Sequence, residues 1–168
     1  WYLNADYNYL TRYFLQATVS MESSSRFGKE ADGGVSLGGI QWGIFPSVQA
    51  AWLLSSESWF KVPGINSLKL RAGYEEVGND AINYYAAQSY MEAIKYQEKF
   101  MGVQIGNVEN DGVKWETTSS FNIGVDAMLL ENRLAFSLDW YAAKTTDLLV
   151  QKQYQYVTGM GTYWANGG

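Results

Sequence analysis

Every second residue in several stretches of this chain falls on a face that carries no charge. The series runs Tyr13, Leu15, Ala17, Val19, Met21, then Trp42, Ile44, Pro46, Val48, Ala50, Trp52, Leu54. It returns at Leu68, Leu70, Ala72, Tyr74 and at Trp115, Thr117, Ser119, Phe121, Ile123, Val125, Ala127, Leu129. It closes with Leu134, Phe136, Leu138, Trp140, Ala142. None of these residues is charged, although 17% of the chain is. The interleaved positions hold Glu22, Lys69, Arg71, Glu75, Lys114, Glu116, Asp126, Arg133 and Asp139. Successive side chains on a strand point to opposite faces, so the pattern predicts a sheet with one dry and one wet side. A transmembrane β-barrel requires that arrangement, with lipid outside and a polar lumen inside.

The alternation predicts five strands, near 12–22, 42–55, 67–78, 114–129 and 133–150, with 1–6 as the end of an earlier strand. Their connections alternate in length. Residues 7–11 and 130–132 are short, 56–66 is moderate, and 23–41, 79–113 and the region beyond 150 are long. Outer-membrane barrels have short periplasmic turns and longer extracellular loops, so the long segments are expected outside. The aromatics agree with that orientation. Tyr13 and Trp52 fall at one end of their strands, and Trp42, Tyr74, Trp115 and Trp140 towards the other. Trp42 and Trp52 are separated by about 33 Å at the rise of an extended strand. A barrel tilt reduces that to about 25 Å, the height of the apolar band between aromatic girdles. Pro46 cannot donate to a ladder, so a bulge or kink is expected there. Phe14, Phe45 and Leu53 fall on the wet face and call for a cover. Segment 81–101 fits either a strand extension or a short helix.

Composition narrows the function. The net charge is −5 with no basic cluster, which argues against nucleic-acid binding. No run of 18 apolar residues is present, so no transmembrane helix is expected. Cysteine and histidine are both absent, which removes thiol nucleophiles, Ser-His-Asp triads and zinc fingers. No catalytic residue, metal or cofactor is expected, and the chain is not read as an enzyme. NVENDG at 107–112 imitates the start of a calcium loop, but the twelfth position is Thr118 instead of a bidentate Glu, so a turn is expected. GGVSLGG at 33–39 and GMG at 159–161 lack the Lys-Ser/Thr of a phosphate loop. Glu75 and Glu76 point to opposite faces, and Glu116 and Asp126 are ten residues apart on one strand. Neither pair suits glycoside chemistry. Tyr84, Tyr85, Tyr90, Tyr154, Tyr156, Tyr163 and Trp164 in the outer loops are the candidate contacts, because exposed aromatics stack on sugar rings or hold peptide side chains.

SSSRFG at 23–28, WGIFPSVQAAWLLSSESWF at 42–60 and LKLRAGYEEVGN at 68–79 occur in one order. VKWETTSSFNIGVDAMLLENRLAFSLDWYAAKTTDLL at 113–149 follows them. Together they resemble the barrel of SusC-like (RagA-like) TonB-dependent outer-membrane transporters of Bacteroidetes. The resemblance implies an all-β, antiparallel transmembrane barrel wall, part of a barrel of about 22 strands. Residues 1–168 are expected to form one partial barrel domain, with no plug domain, signal peptide or TonB box in this chain. The implied function is import of oligosaccharides or peptides across the bacterial outer membrane. Implied partners are a SusD-like surface lipoprotein acting as a lid, the rest of the same barrel and its plug, TonB acting through that plug, and outer-membrane lipid. Two alternatives stay open at this point. One is a small outer-membrane β-barrel acting as an adhesin or structural protein, and the other a soluble carbohydrate-binding β-sandwich.

Overall fold

The computed structural model describes residues 1–31, 34–155, 157 and 159–167, and of Tyr96 the backbone alone. The strands are β1 (Tyr2–Tyr9), β2 (Tyr13–Glu22), β3 (Gly34–Leu37), β4 (Ile40–Leu53), β5 (Ile65–Asn79), β6 (Tyr90–Tyr96), β7 (Phe100–Asn107), β8 (Glu116–Leu129), β9 (Leu134–Thr146), β10 (Leu148–Gln153) and β11 (Thr162–Gly167). One sheet has the order β1-β2-β4-β5-β8-β9, with β3 also paired to β4. The second has the order β10-β11-β7-β6.

Cross-strand register tests the alternation directly, because residues opposite one another share a face. Val48 pairs with Tyr74, Ala50 with Ala72 and Trp52 with Leu70, while Ser47 pairs with Glu75 and Ala51 with Arg71. In the β1–β2 hairpin Leu3 pairs with Val19, Ala5 with Ala17, Tyr7 with Leu15 and Tyr9 with Tyr13. The other parity pairs Asn4 with Thr18 and Asp6 with Gln16. On the dry parity apolar meets apolar, while the other parity mixes polar pairs with Ala51–Arg71, Leu53–Lys69 and Asn8–Phe14. A slip of one residue would invert both faces.

The apolar face is exposed. Leu138 and Trp140 on β9 are 60% and 58% accessible, and every residue of β9 except its last is exposed. Among the described residues the only large side chain that is fully buried is Val113. A soluble sandwich would bury such residues between its sheets. Here they form an outward apolar surface, as a barrel wall in lipid demands.

Several expectations are corrected. Residues 34–37 within the expected 23–41 loop form β3, which returns through Gly38 and Gly39 at φ +62° and +77°. Two left-handed residues in succession match the twist of a tight hairpin, and glycine takes that conformation without a Cβ clash. Segment 79–113 is not a plain loop. Its residues 90–107 form the β6–β7 hairpin, which settles 81–101 against a helix. The expected strand 133–150 is interrupted at Asp147, φ +57°, where β9 gives way to β10. The β4–β5 register starts at Ser47, directly after Pro46.

The described chain divides into two compact units. The first comprises Trp1–Ser20, Phe45–Val77 and Thr118–Lys144, and the second Met21–Ile44, Gly78–Thr117 and Thr145–Gly168. The second has a small core of Ile82, Ala86 and Val113, packed by Phe27, Leu149 and Trp164. Phe45 is buried in the first unit at 7% exposure, and Phe14 lies 5.7 Å beneath the Lys69 ammonium.

Candidate functional site

The described candidate aromatics sit in the second unit, on strands β6 and β11 and on connections tied by asparagine side chains. Asn107 is 2% exposed, and its Nδ2 donates to the carbonyls of Ala86 (3.0 Å) and Gln88 (2.8 Å). Asn110 Nδ2 donates to Trp164 O at 2.8 Å, while its Oδ1 accepts from Gly112 N–H. Asn166 Oδ1 accepts from Lys114 N–H, and its Nδ2 donates to Lys114 O and Asp147 O. Glu116 accepts from Asn79 Nδ2 at 3.0 Å and from Leu149 N–H at 2.9 Å. Each of the three asparagine amides bonds backbone groups at the edges of the strands or in the connections, which is how an irregular connection is held at a fixed shape. The NVENDG segment is therefore an anchor. Among the described residues no cluster of acidic side chains is arranged to hold a metal.

On this scaffold Tyr84 and Tyr85 are 70% and 62% exposed. The Arg26 guanidinium lies 4.8 Å over the Tyr84 ring and is itself held by Asp80, through Oδ2 at 2.9 Å and the carbonyl at 2.8 Å. Tyr85 has φ +62°, an uncommon conformation for a bulky residue. Tyr90 opens β6 and lies against Gly106, where an added Cβ would approach its ring to 2.5 Å. Tyr154 and Tyr163 pack at 4.6 Å between ring centroids. Trp164 belongs to the small core, and Tyr156 lies outside the described residues. Tyr84 and Tyr85 thus offer open rings, whereas Tyr154, Tyr163 and Trp164 commit part of their surface to packing.

The first unit holds two clusters that sequence reasoning did not assemble. On the wet face Arg71 of β5 makes a two-pronged ion pair with Asp126 of β8, at 2.8 and 3.0 Å, and a third bond to Asp139 of β9 at 2.9 Å. Ser137 donates to Asp126 at 2.8 Å. Gly124 leaves the room, since a Cβ there would lie 2.4 Å from Asp139 Oδ1. The signal was present in the sequence as opposite charges of one parity on neighbouring strands.

The second cluster lies at the short-turn ends of the strands. Glu57 accepts from the Tyr13 hydroxyl at 2.7 Å, the Trp52 indole at 3.1 Å and Arg12 Nη1 at 3.2 Å. Tyr13 and Trp52 stack at 6.0 Å, and the row continues through Tyr9 on one side and Trp59 on the other. The Tyr13 hydroxyl, followed by the Trp52 indole and Arg12, holds the Glu57 carboxyl below the usual glutamate range. Such a row is the aromatic girdle of a barrel wall at the membrane–water boundary.

Residues 1–168 match, over their whole length, the family described as TonB dependent receptor-like, beta-barrel. The chain belongs to that family. It is 34% identical over 171 residues to TonB-dependent receptor P39 of Formosa agariphila, covering 99% of this chain and 15% of that relative. It is 29% identical over 152 residues to TonB-dependent receptor SusC of Bacteroides thetaiotaomicron, covering 86% of this chain and 14% of SusC. Structures of the RagAB peptide transporter overlay with a TM-score of 0.80 at 25% identity, over 98% of this chain and 17% of theirs. The chain thus spans about a sixth of the length of these relatives. It is a portion of an outer-membrane barrel wall, and the sandwich alternative falls. The exposed apolar face is the lipid side, and Arg71, Asp126 and Asp139 line the lumen.

Proposed function

We propose that this wall belongs to a SusC-type importer that carries oligosaccharides or peptides across the outer membrane, with the short turns in the periplasm and the long connections outside. The supporting observation is the shared strand arrangement with the RagAB peptide importer over 98% of the chain, in structures of both its open-open and closed-closed states. A plug within the complete barrel, TonB acting on that plug, and a SusD-like lipoprotein lid complete this reading. Tyr84, Tyr85 and Tyr90 provide the contact surface for ligand or lid, because they are the exposed ones among the described candidate rings and share the longest connection.

The test is replacement of Tyr84, Tyr85 and Tyr90 together by alanine in the complete transporter. Desolvated aromatic anchors contribute on the order of 2 kcal/mol each. Uptake or lid association should therefore fall at least tenfold while the amount of barrel in the membrane stays constant. Wild-type uptake together with wild-type lid binding would assign these tyrosines to structure alone.

A further inference from the structure

The lipid side of the first unit is not evenly rough. Ala50 and Ala72 stand directly opposite each other on β4 and β5, so at that level the surface carries methyl groups only. Leu15 of β2 and Ile123 of β8 rise on either side. The result is an open groove of about 600 Å³, lined at its short-turn end by the stacked rings of Tyr13 and Trp52. That volume lies in the range of small-molecule sites, roughly 300–1,000 Å³. The contrast with β9 is informative, since Leu134, Phe136, Leu138 and Trp140 stand exposed along one strand there.

Beyond the two rings the short-turn end is polar. Glu57 ties the hydroxyl of Tyr13 and the indole of Trp52 to Arg12, whose side chain is 33% exposed. A guanidinium has five N–H donors, and the bond to Glu57 uses Nη1. The remaining donors suit a phosphate, which arginine binds in bidentate fashion. An apolar trough continuous with the lipid-facing wall, ending in an aromatic pair and then a cation, repeats the order of groups in a phospholipid.

We propose that this groove is a phospholipid site: one acyl chain lies over Ala50 and Ala72, and the phosphate is taken by Arg12. The site rests on the membrane-wall assignment and is independent of what the barrel transports. Its occupant is a lipid of the leaflet on the short-turn side. Glu57 holds the two rings and the cation in register, so it is a positioning residue here.

The test uses the complete barrel in nanodiscs of phosphatidylethanolamine containing a small fraction of the same lipid with a diazirine on one acyl chain. After irradiation, adducts are mapped by mass spectrometry. Adducts on 13–15, 50–52 and 70–72 should exceed those on 134–140 at least fivefold. Ala72→Phe, which fills the trough, should lower the groove adducts about fivefold without changing those on β9. Arg12→Gln, at the turn, should lower phospholipid adducts severalfold while leaving those of a phosphate-free diazirine diacylglycerol unchanged, and it decides the matter if Ala72→Phe does not assemble. Equal labelling of groove and β9 would reduce the site to ordinary surrounding lipid and overturn the proposal. Absence of lipid adducts from the groove, together with two barrels per nanodisc by mass photometry, would overturn it in favour of a second copy. Because each readout is labelling, loss of transport cannot imitate any of these results.

Discussion

Single residues in this wall differ in what their neighbours can yield. At Gly124 an added methyl would meet the ends of two flexible side chains, Asp139 Oδ1 at 2.4 Å and Arg71 Nη2 at 2.7 Å. Those groups are 35–54% exposed, so the ion pairs they make are worth little, about 0–1 kcal/mol. At Gly28 the methyl would meet the backbone carbonyl of Asp111 at 2.1 Å, and a backbone cannot rotate away. Gly28→Ala is therefore expected to cost about 1–3 kcal/mol in the long connections, and Gly124→Ala about 1 kcal/mol or less. Thermal unfolding of the complete barrel, with hydrogen exchange around 107–113, checks the order. Glu57 yields a pH prediction. Its carboxyl titrates below the usual range because the folded state gives its charged form three donors. Its stabilising contribution is therefore complete above the unfolded pKa and is lost as pH falls through the folded one. A carboxyl NMR titration should show a depressed midpoint, and Tyr13→Phe, which removes the first of those donors, should raise it.

At the scale of an element, β8 separates the two faces. Ile123 is 44% exposed on the lipid side, whereas Asp126 engages Arg71 on the other. Arginine at the bilayer midplane of a lipid face costs about 2–4 kcal/mol. Ile123→Arg and Val125→Arg are expected to impair assembly, and Asn122→Arg to be tolerated. The tolerant parity has its own exceptions. Asp126→Arg sets two guanidiniums together, and Gly124→Arg fills the space taken by the ion cluster. An arginine scan read out by protease resistance in membranes should show that modified alternation, and equal tolerance of Ile123→Arg and Asn122→Arg would contradict the lipid-face assignment.

At the scale of the molecule, the decisive fact is an open sheet. Among the described residues β1 and β9 are the ends of the long sheet, each with one edge that meets no further strand. In hydrocarbon, every unpaired N–H and C=O costs several kcal/mol, and only closure removes such edges. Residues 1–168 expressed alone are therefore expected not to give a monomeric, heat-modifiable barrel in detergent. Gel mobility with and without heating tests this, and a stable monomeric barrel from these residues would restore the small-barrel alternative.

The sequence by itself determined the faces of the wall. A period of two and the exclusion of charge from one parity already assign Val48, Ala50, Tyr74 and Ile123 to the dry side of the sheet, because strand geometry leaves no other choice. The girdle positions Tyr13 and Trp52 and the β8–β9 turn were legible for the same reason. The long connections were not. β3 and the β6–β7 hairpin are short and lie outside the long alternating runs, and the break at Asp147 depends on a left-handed residue held by Lys114 and Asn166. Only tertiary structure joined Arg71 to Asp126 and Asp139, or Glu57 to Tyr13 and Arg12, since those pairs are 55, 68, 44 and 45 residues apart. It also packed Trp164 against the small core and left Tyr84 open, although both are aromatic residues of segments read from the sequence as loops. Periodicity records which side of a strand meets water. Which distant strand or turn supplies the partner is set by register and chain return, and no local pattern encodes those.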